Sequence, residues 1–195
     1  SGSSNTGVGL DALAAVTTGS DNIAIGNKSL FTVTTGSNST ALGISALRNS
    51  TADDNTAVGR SAMFANTTGT QNTAVGKNVL SSNTTADNNT AVGHEALTAN
   101  TTGEKNTAIG KGALQANTTA DRNVAIGMNC LQQNTTGADN TAVGTGTMDA
   151  NTTGSNNTAL GFNSLLSNTT ANNNTAVGSL ALDANTTGAQ NTAMG

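Results

Sequence analysis

The chain has 195 residues, of which 34% are hydrophobic, 9% charged and 2% aromatic, with a formal net charge of -4. The side chains that fill a conventional core and those that solvate a conventional surface are both scarce, which excludes an ordinary globular domain. The negative balance gives no general basic face for nucleic acid or anionic lipid, and the uncharged apolar runs are too short to cross a bilayer, so no nucleic acid partner and no membrane insertion are expected.

A five-residue segment, Asn-Thr-Ala-Val-Gly, returns along the whole chain. Its closing glycine falls at Gly9, Gly26, Gly43, Gly59, Gly76, Gly93, Gly110, Gly127, Gly144, Gly161, Gly178 and Gly195, so every step is 17 residues except one of 16 between Gly43 and Gly59. A period this short and strict predicts a solenoid in which each unit is one coil stacked on the next. Residues 1–195 then form a single array of about 11 coils, and its matching start and finish within the repeat is what a fragment of a longer protein would show. One cysteine, Cys130, rules out an intrachain disulfide as the staple between coils.

The first part of each unit alternates with period two, which predicts a short strand. One residue before the glycine is always aliphatic, as at Val58, Val75, Val92, Ile109, Ile126, Val143, Leu160 and Val177, and this column is expected to be a core ladder. The residue between it and the preceding threonine is alanine from Ala24 onward. An alanine face lets a neighbouring chain approach closely, so three parallel copies are expected to pack through it. The strand opens on an asparagine, as at Asn55, Asn72, Asn89, Asn106, Asn123, Asn140, Asn157 and Asn174. Stacked at ~4.8 Å, such amides form a structural hydrogen-bonding ladder.

The closing glycines, among them Gly59, Gly76, Gly93, Gly110, Gly127, Gly144, Gly161 and Gly178, are turn glycines that either take a positive φ or clear space for another backbone. A second apolar pair follows, ending in Leu or Met. Its large members, such as Leu97, Leu114, Leu131 and Leu165, complete the predicted core. Six residues between turn signals are too few for a stable helix, so a short strand or an irregular turn is expected there. The unit ends in Asn-Thr-Thr-Gly or Asn-Thr-Thr-Ala, with Val16 and Val33 in place of the asparagine in the first two copies. Asn-x-Thr sequons at Asn66, Asn83, Asn100, Asn117, Asn134, Asn151, Asn168 and Asn185 would decorate this turn in a glycosylating pathway.

No residue pattern supports catalysis, and no cofactor or metal is implied. His94 lies in a variable column, and Cys130 lies where other units carry alanine. Asp53, Asp54, Asp87, Asp121 and Asp139 share a turn, yet no acidic pair persists from coil to coil as stacked calcium sites require. Registered threonines such as Thr67-Thr68 and Thr84-Thr85 raise ice binding as an alternative, although adjacent residues of a strand point to opposite sides.

Asn22-Ile23-Ala24-Ile25-Gly26, Asn123-Val124-Ala125-Ile126-Gly127 and their relatives resemble the head repeats of YadA-like trimeric autotransporter adhesins, and the longer unit resembles arrays of bacterial surface proteins and phage tail fibres. The unit here is longer than the adhesin head repeat, and its Ala-Leu-x-x-Asn-Thr-Thr arm has no clear counterpart there. The resemblance implies an all-β, left-handed parallel β-roll assembled as a homotrimeric rod, extracellular on a bacterial surface or a virion. It implies a structural or adhesive role as spacer or head, with a host-surface protein or glycan as partner. Any specific contact would use variable positions such as Arg60, Lys77, His94 and Lys111, side chains that equally fit ordinary solubilising decoration of the surface.

Overall fold

The computed structural model describes residues 2–195. It is an all-β solenoid of twelve three-residue strands: β1 (Thr6–Val8), β2 (Ile23–Ile25), β3 (Thr40–Leu42), β4 (Thr56–Val58), β5 (Thr73–Val75), β6 (Thr90–Val92), β7 (Thr107–Ile109), β8 (Val124–Ile126), β9 (Thr141–Val143), β10 (Thr158–Leu160), β11 (Thr175–Val177) and β12 (Thr192–Met194). All pair in parallel in sequence order, and each residue meets its counterpart one repeat away. At the usual spacing between strands the sheet is roughly 50 Å long. Each coil comprises one strand, its glycine and the turns that return the chain to the next strand.

The strand puts alanine inside and its larger neighbours outside. Ala57, Ala74, Ala91, Ala108, Ala125 and Ala142 are fully buried. The aliphatic column expected in the core lies on the outer face: Val58, Val75, Val92, Val143 and Val177 are half-buried, Ile109 and Ile126 are 38% exposed, and Leu160 is 48% exposed. The alanine face is therefore not open to a neighbouring chain. Alternation separates two faces without saying which is inside. Here the narrow coil decides, because its interior already holds a large side chain from the turns and two asparagines, and on the strand side only a methyl group fits.

That large side chain follows the glycine. Leu80, Leu97, Leu114, Leu131, Met148 and Leu165 have no exposed surface and join the alanines in one continuous core. They sit in turns rather than in a strand or helix, with left-handed φ values such as 50° at Leu97 and Leu114. A leucine rarely takes this conformation, at a cost on the order of 1 kcal/mol. Burial of the side chain, at about 1.5 to 3 kcal/mol, offsets it. The turns are tied along the axis as tightly as the strands: the Leu97 N–H donates to the Ala113 carbonyl at 3.0 Å and the Ala99 N–H to Gln115 at 3.1 Å.

The closing glycine is required twice over. Gly93 has φ of +136°, and a Cβ built on it would overlap the carbonyl of Gly110, the glycine stacked above it. Both properties recur at Gly59, Gly76, Gly110, Gly127, Gly144 and Gly161.

Two asparagine ladders run through the interior. In the strand ladder, Asn89 Oδ1 accepts the Asn106 main-chain N–H at 2.9 Å, and Asn106 Oδ1 accepts that of Asn123 at 2.9 Å. The second ladder is built from Asn66, Asn83, Asn100, Asn117, Asn134, Asn151 and Asn168, whose amides donate to one another from coil to coil, as Asn100 does to Asn83 at 3.1 Å and Asn117 to Asn100 at 2.9 Å. The ladders meet on one atom per coil: the Gly103 carbonyl accepts from Asn89 Nδ2 and from Asn100 Nδ2, both at 2.9 Å. These asparagines are fully buried or nearly so, so the sequons from Asn66 to Asn168 do not decorate the turn; their amides face inward. Val33, which replaces asparagine in the second column, is also fully buried.

The 16-residue step loses one residue between Ser50 and Asn55 while β3 and β4 keep their register. Both ladders carry serine there. Asn55 N–H donates to Ser39 Oγ at 3.3 Å, and Asn66 Nδ2 to Ser50 Oγ at 3.2 Å. A deletion in the outer turn is absorbed because neither strand nor ladder is interrupted.

Two substitutions test this account by chemical denaturation followed by far-UV circular dichroism. Gly93→Ala is expected to cost at least ~3 kcal/mol, from backbone conformation and overlap together, while Gly69→Ala, where a Cβ also overlaps the Ala86 carbonyl but φ is not positive, is expected to cost measurably less. Asn106→Ala removes the acceptor of the Asn123 N–H and is expected to cost about 2 kcal/mol. Equal stability of Gly93→Ala and Gly69→Ala would refute a conformational requirement for glycine at Gly93.

Candidate interaction surface

The outward face of the sheet is built from three columns. Thr56, Thr73, Thr90 and Thr107 form the first, the aliphatic residues two positions later form the second, and the residue after each glycine forms the third. The first two columns carry no charge over all twelve strands. Parallel pairing stacks like on like, so the aliphatic side chains make one continuous apolar stripe along the rod. A continuous stripe of this length differs from scattered surface hydrophobicity.

The third column borders the stripe and changes character along the rod. It reads Asn27 and Ile44 in coils 2 and 3, Arg60, Lys77, His94 and Lys111 in coils 4 to 7, and Met128, Thr145 and Phe162 beyond. The structure brings all four predicted surface residues together in consecutive coils, each exposed. Position relative to the glycine already placed them in one column.

Acidic residues lie in the turn before the strand, across the stripe from the basic row. Several are engaged by the main chain: Asp53 Oδ1 accepts the Ser37 N–H at 2.7 Å, Asp87 Oδ1 that of Thr70 at 2.7 Å, and Asp121 Oδ1 that of Glu104 at 2.8 Å. A carboxylate in this turn thus caps the coil before it. Asp139 instead receives a two-point contact from Arg122, with Nε at 2.6 Å and Nη2 at 2.9 Å. That hydrogen bond and the charge beside it hold the Asp139 carboxyl below its usual range. Among the described residues no three His, Cys, Asp or Glu side chains converge as metal ligands do.

Other side chains that carry chemistry have structural roles. Cys130 is buried, its thiol donates to the Ala142 carbonyl at 3.2 Å, and burial pushes its pKa up to about 12, so it is not a ready thiolate. The threonine pairs are partly committed: Thr84 Oγ1 donates to the Thr101 carbonyl at 3.2 Å, and Thr101 Oγ1 to that of Thr118 at 3.0 Å. Phe31, Arg48 and Phe64 stack in one column, the guanidinium lying 5.8 and 5.5 Å from the two ring centres. Three coils are thereby stapled around the 16-residue step by cation–π contact.

Compared with known proteins, the chain matches no family model, no curated protein and no solved structure.

Asp149 breaks the pattern of satisfied polar groups. Its column carries Gln115 and Gln132, where Gln132 Nε2 donates to Gln115 Oε1 at 2.8 Å, but Asp149 Oδ1 is buried with no partner. Burial raises its pKa. The folded chain therefore holds the proton more tightly than the unfolded one, and the aspartate costs stability at neutral pH that is recovered as pH falls through the raised value. Asp149→Gln is expected to raise stability at pH 7 by about 1 kcal/mol or less. Thermal midpoints across the acid range check this, and the gain should disappear below the ordinary carboxylate range of about 4.

Proposed function

We propose that this chain is a rigid, non-catalytic segment of a fibrous extracellular protein, on a bacterial surface or a virion, which spaces or displays other parts and assembles as a homotrimer. The uncharged aliphatic stripe carries the reading. Twelve strands whose outward residues are Thr, Ile or Val at the first position and Val, Ile, Leu or Met at the third, in register along one face, give each parallel copy an uncharged apolar surface to present to the others. The seam runs along this stripe. The alanine column expected to form it is occupied inside each chain. The likeness of Asn-Val-Ala-Ile-Gly to adhesin heads and tail-fibre arrays supports the same role, and adhesion to a host-surface protein or glycan remains within it.

Small coils supply a physical reason for association. Each coil buries one Leu or Met and a few alanines, while the larger aliphatic residue of its strand stays in water. Burying that residue against a partner is worth about 25 cal/mol per Å² of apolar surface removed from water. Repetition along the rod adds the contributions without any new type of contact.

Sedimentation equilibrium is expected to give three times the mass of one chain. Val75→Lys with Val92→Lys, substitutions on the outward face that leave the interior untouched, is expected to give folded single chains with an unchanged circular dichroism spectrum. A parent protein that sediments as one chain would overturn the trimer.

A further inference from the structure

The row Arg60, Lys77, His94 and Lys111 is unlike the rest of the surface. It holds three of the seven Lys and Arg residues and the single histidine of a chain with net charge -4. Parallel register stacks the four side chains one per coil, at ~4.8 Å steps. Among the described residues only His94 has a carboxylate near it, Glu95 at 3.8 Å; Arg60, Lys77 and Lys111 form no ion pair. The nearby turn acids that would neutralise them lie across the stripe, bonded to main-chain N–H groups. The solenoid thus aligns three like charges, Arg60, Lys77 and Lys111, that form no ion pair, with His94 and Glu95 in the coil between the last two.

Around the row the surface is polar and narrow. The residue after each member of the row is Ser61, Asn78, Glu95 or Gly112, all with positive φ in the same turn, offering a hydroxyl, an amide, a carboxylate and a gap. The aliphatic stripe lies on the other side. A row of like charges is not stable inside a seam between identical parallel copies, which places it on the rim, open to solvent, when the stripe is covered.

From this geometry we infer that coils 4 to 7 bind a linear acidic polysaccharide lying along the solenoid axis, with one sugar over each coil and its acidic groups met by Arg60, Lys77 and Lys111. A pyranose ring in an extended chain spans about the step between coils, and successive rings are turned about the chain axis, so acidic groups on alternate sugars face the row two coils apart, the separation of Lys77 and Lys111. The hydroxyl and amide of Ser61 and Asn78 match the hydroxyl edges of the same rings. Duplex nucleic acid carries a charge every ~1.7 Å along its axis, far denser than this row. Single-strand binding relies on aromatic platforms, and the outward columns of coils 4 to 7 have none. The row is bounded by uncharged Ile44 and Met128, so the footprint is about four sugars long.

The test is binding of the full chain to polygalacturonate and to galacturonate oligomers of two, four and six units at low salt, with neutral dextran and single-stranded polythymidylate as comparisons. Polygalacturonate and the four- and six-unit oligomers are expected to bind, the two-unit oligomer and dextran not, with affinity falling as salt rises. Arg60→Asn with Lys77→Asn and Lys111→Asn, a residue type the column carries at Asn27, is expected to weaken binding at least tenfold. Lys105→Asn with Arg122→Asn, across the stripe, is expected to change it less than threefold. Absence of polygalacturonate binding, an unchanged affinity in the triple variant, or tighter binding of polythymidylate would overturn the inference. Sedimentation of the triple variant keeps this outcome separate from the assembly reading, since the row lies outside the proposed seam.

Discussion

One carbonyl oxygen per coil holds the interior together. Gly103 shows the arrangement: its oxygen takes one amide hydrogen from Asn89 and another from Asn100, so both lone pairs are used and both ladders are pinned to the same point. A coil of this size cannot enclose a conventional oily core. Its inward asparagines are acceptable there because their amides find partners within the coil and in the coils above or below, and leaving one amide unpaired would cost about as much as one or two well-made hydrogen bonds contribute. The alanine side of the strand follows from the same limit on space, as does the outward placement of the larger aliphatic residues.

Repetition turns each local strain into a shared one. Every coil places a leucine or methionine in left-handed backbone conformation, and every closing glycine holds a φ that other residues avoid. An isolated turn with these features would open. Here the hydrogen bonds of each turn go to its neighbours along the axis, so no single coil relaxes without breaking contacts on both sides. Leu13 and Leu182, in the first and last described coils, are more exposed than Leu97, which has a described coil on each side.

Much of the architecture was legible from periodicity. Strand position, parallel register and stacked glycines follow from spacing alone, and the Leu or Met column is in the interior. The facing of the strand was not legible, because Thr56, Ala57 and Val58 alternate equally well either way and hydrophobicity favours the wrong side. The second asparagine ladder had a signal in Val16 and Val33, since a column that accepts valine in place of asparagine is an inward one. Left-handed φ at Leu97 had none: leucine is a poor marker for that conformation, and it is there because the side chain must reach the core from a turn. The basic row was legible as a column, but its isolation from the turn acids depended on the folded cross-section.

Glycine packed directly on glycine has a consequence for the length of the rod. Neighbouring coils meet backbone to backbone at this point, and the next layer seats only if it presents the same bare atom at the same height. Copies can therefore be gained or lost as whole layers, each changing the reach of the molecule by one strand spacing, while the outer turn can shorten by a residue, as between Gly43 and Gly59, without altering the step. The molecule is in this sense a graduated ruler, whose divisions are set by covalent geometry and whose span is set by how many copies the gene contains.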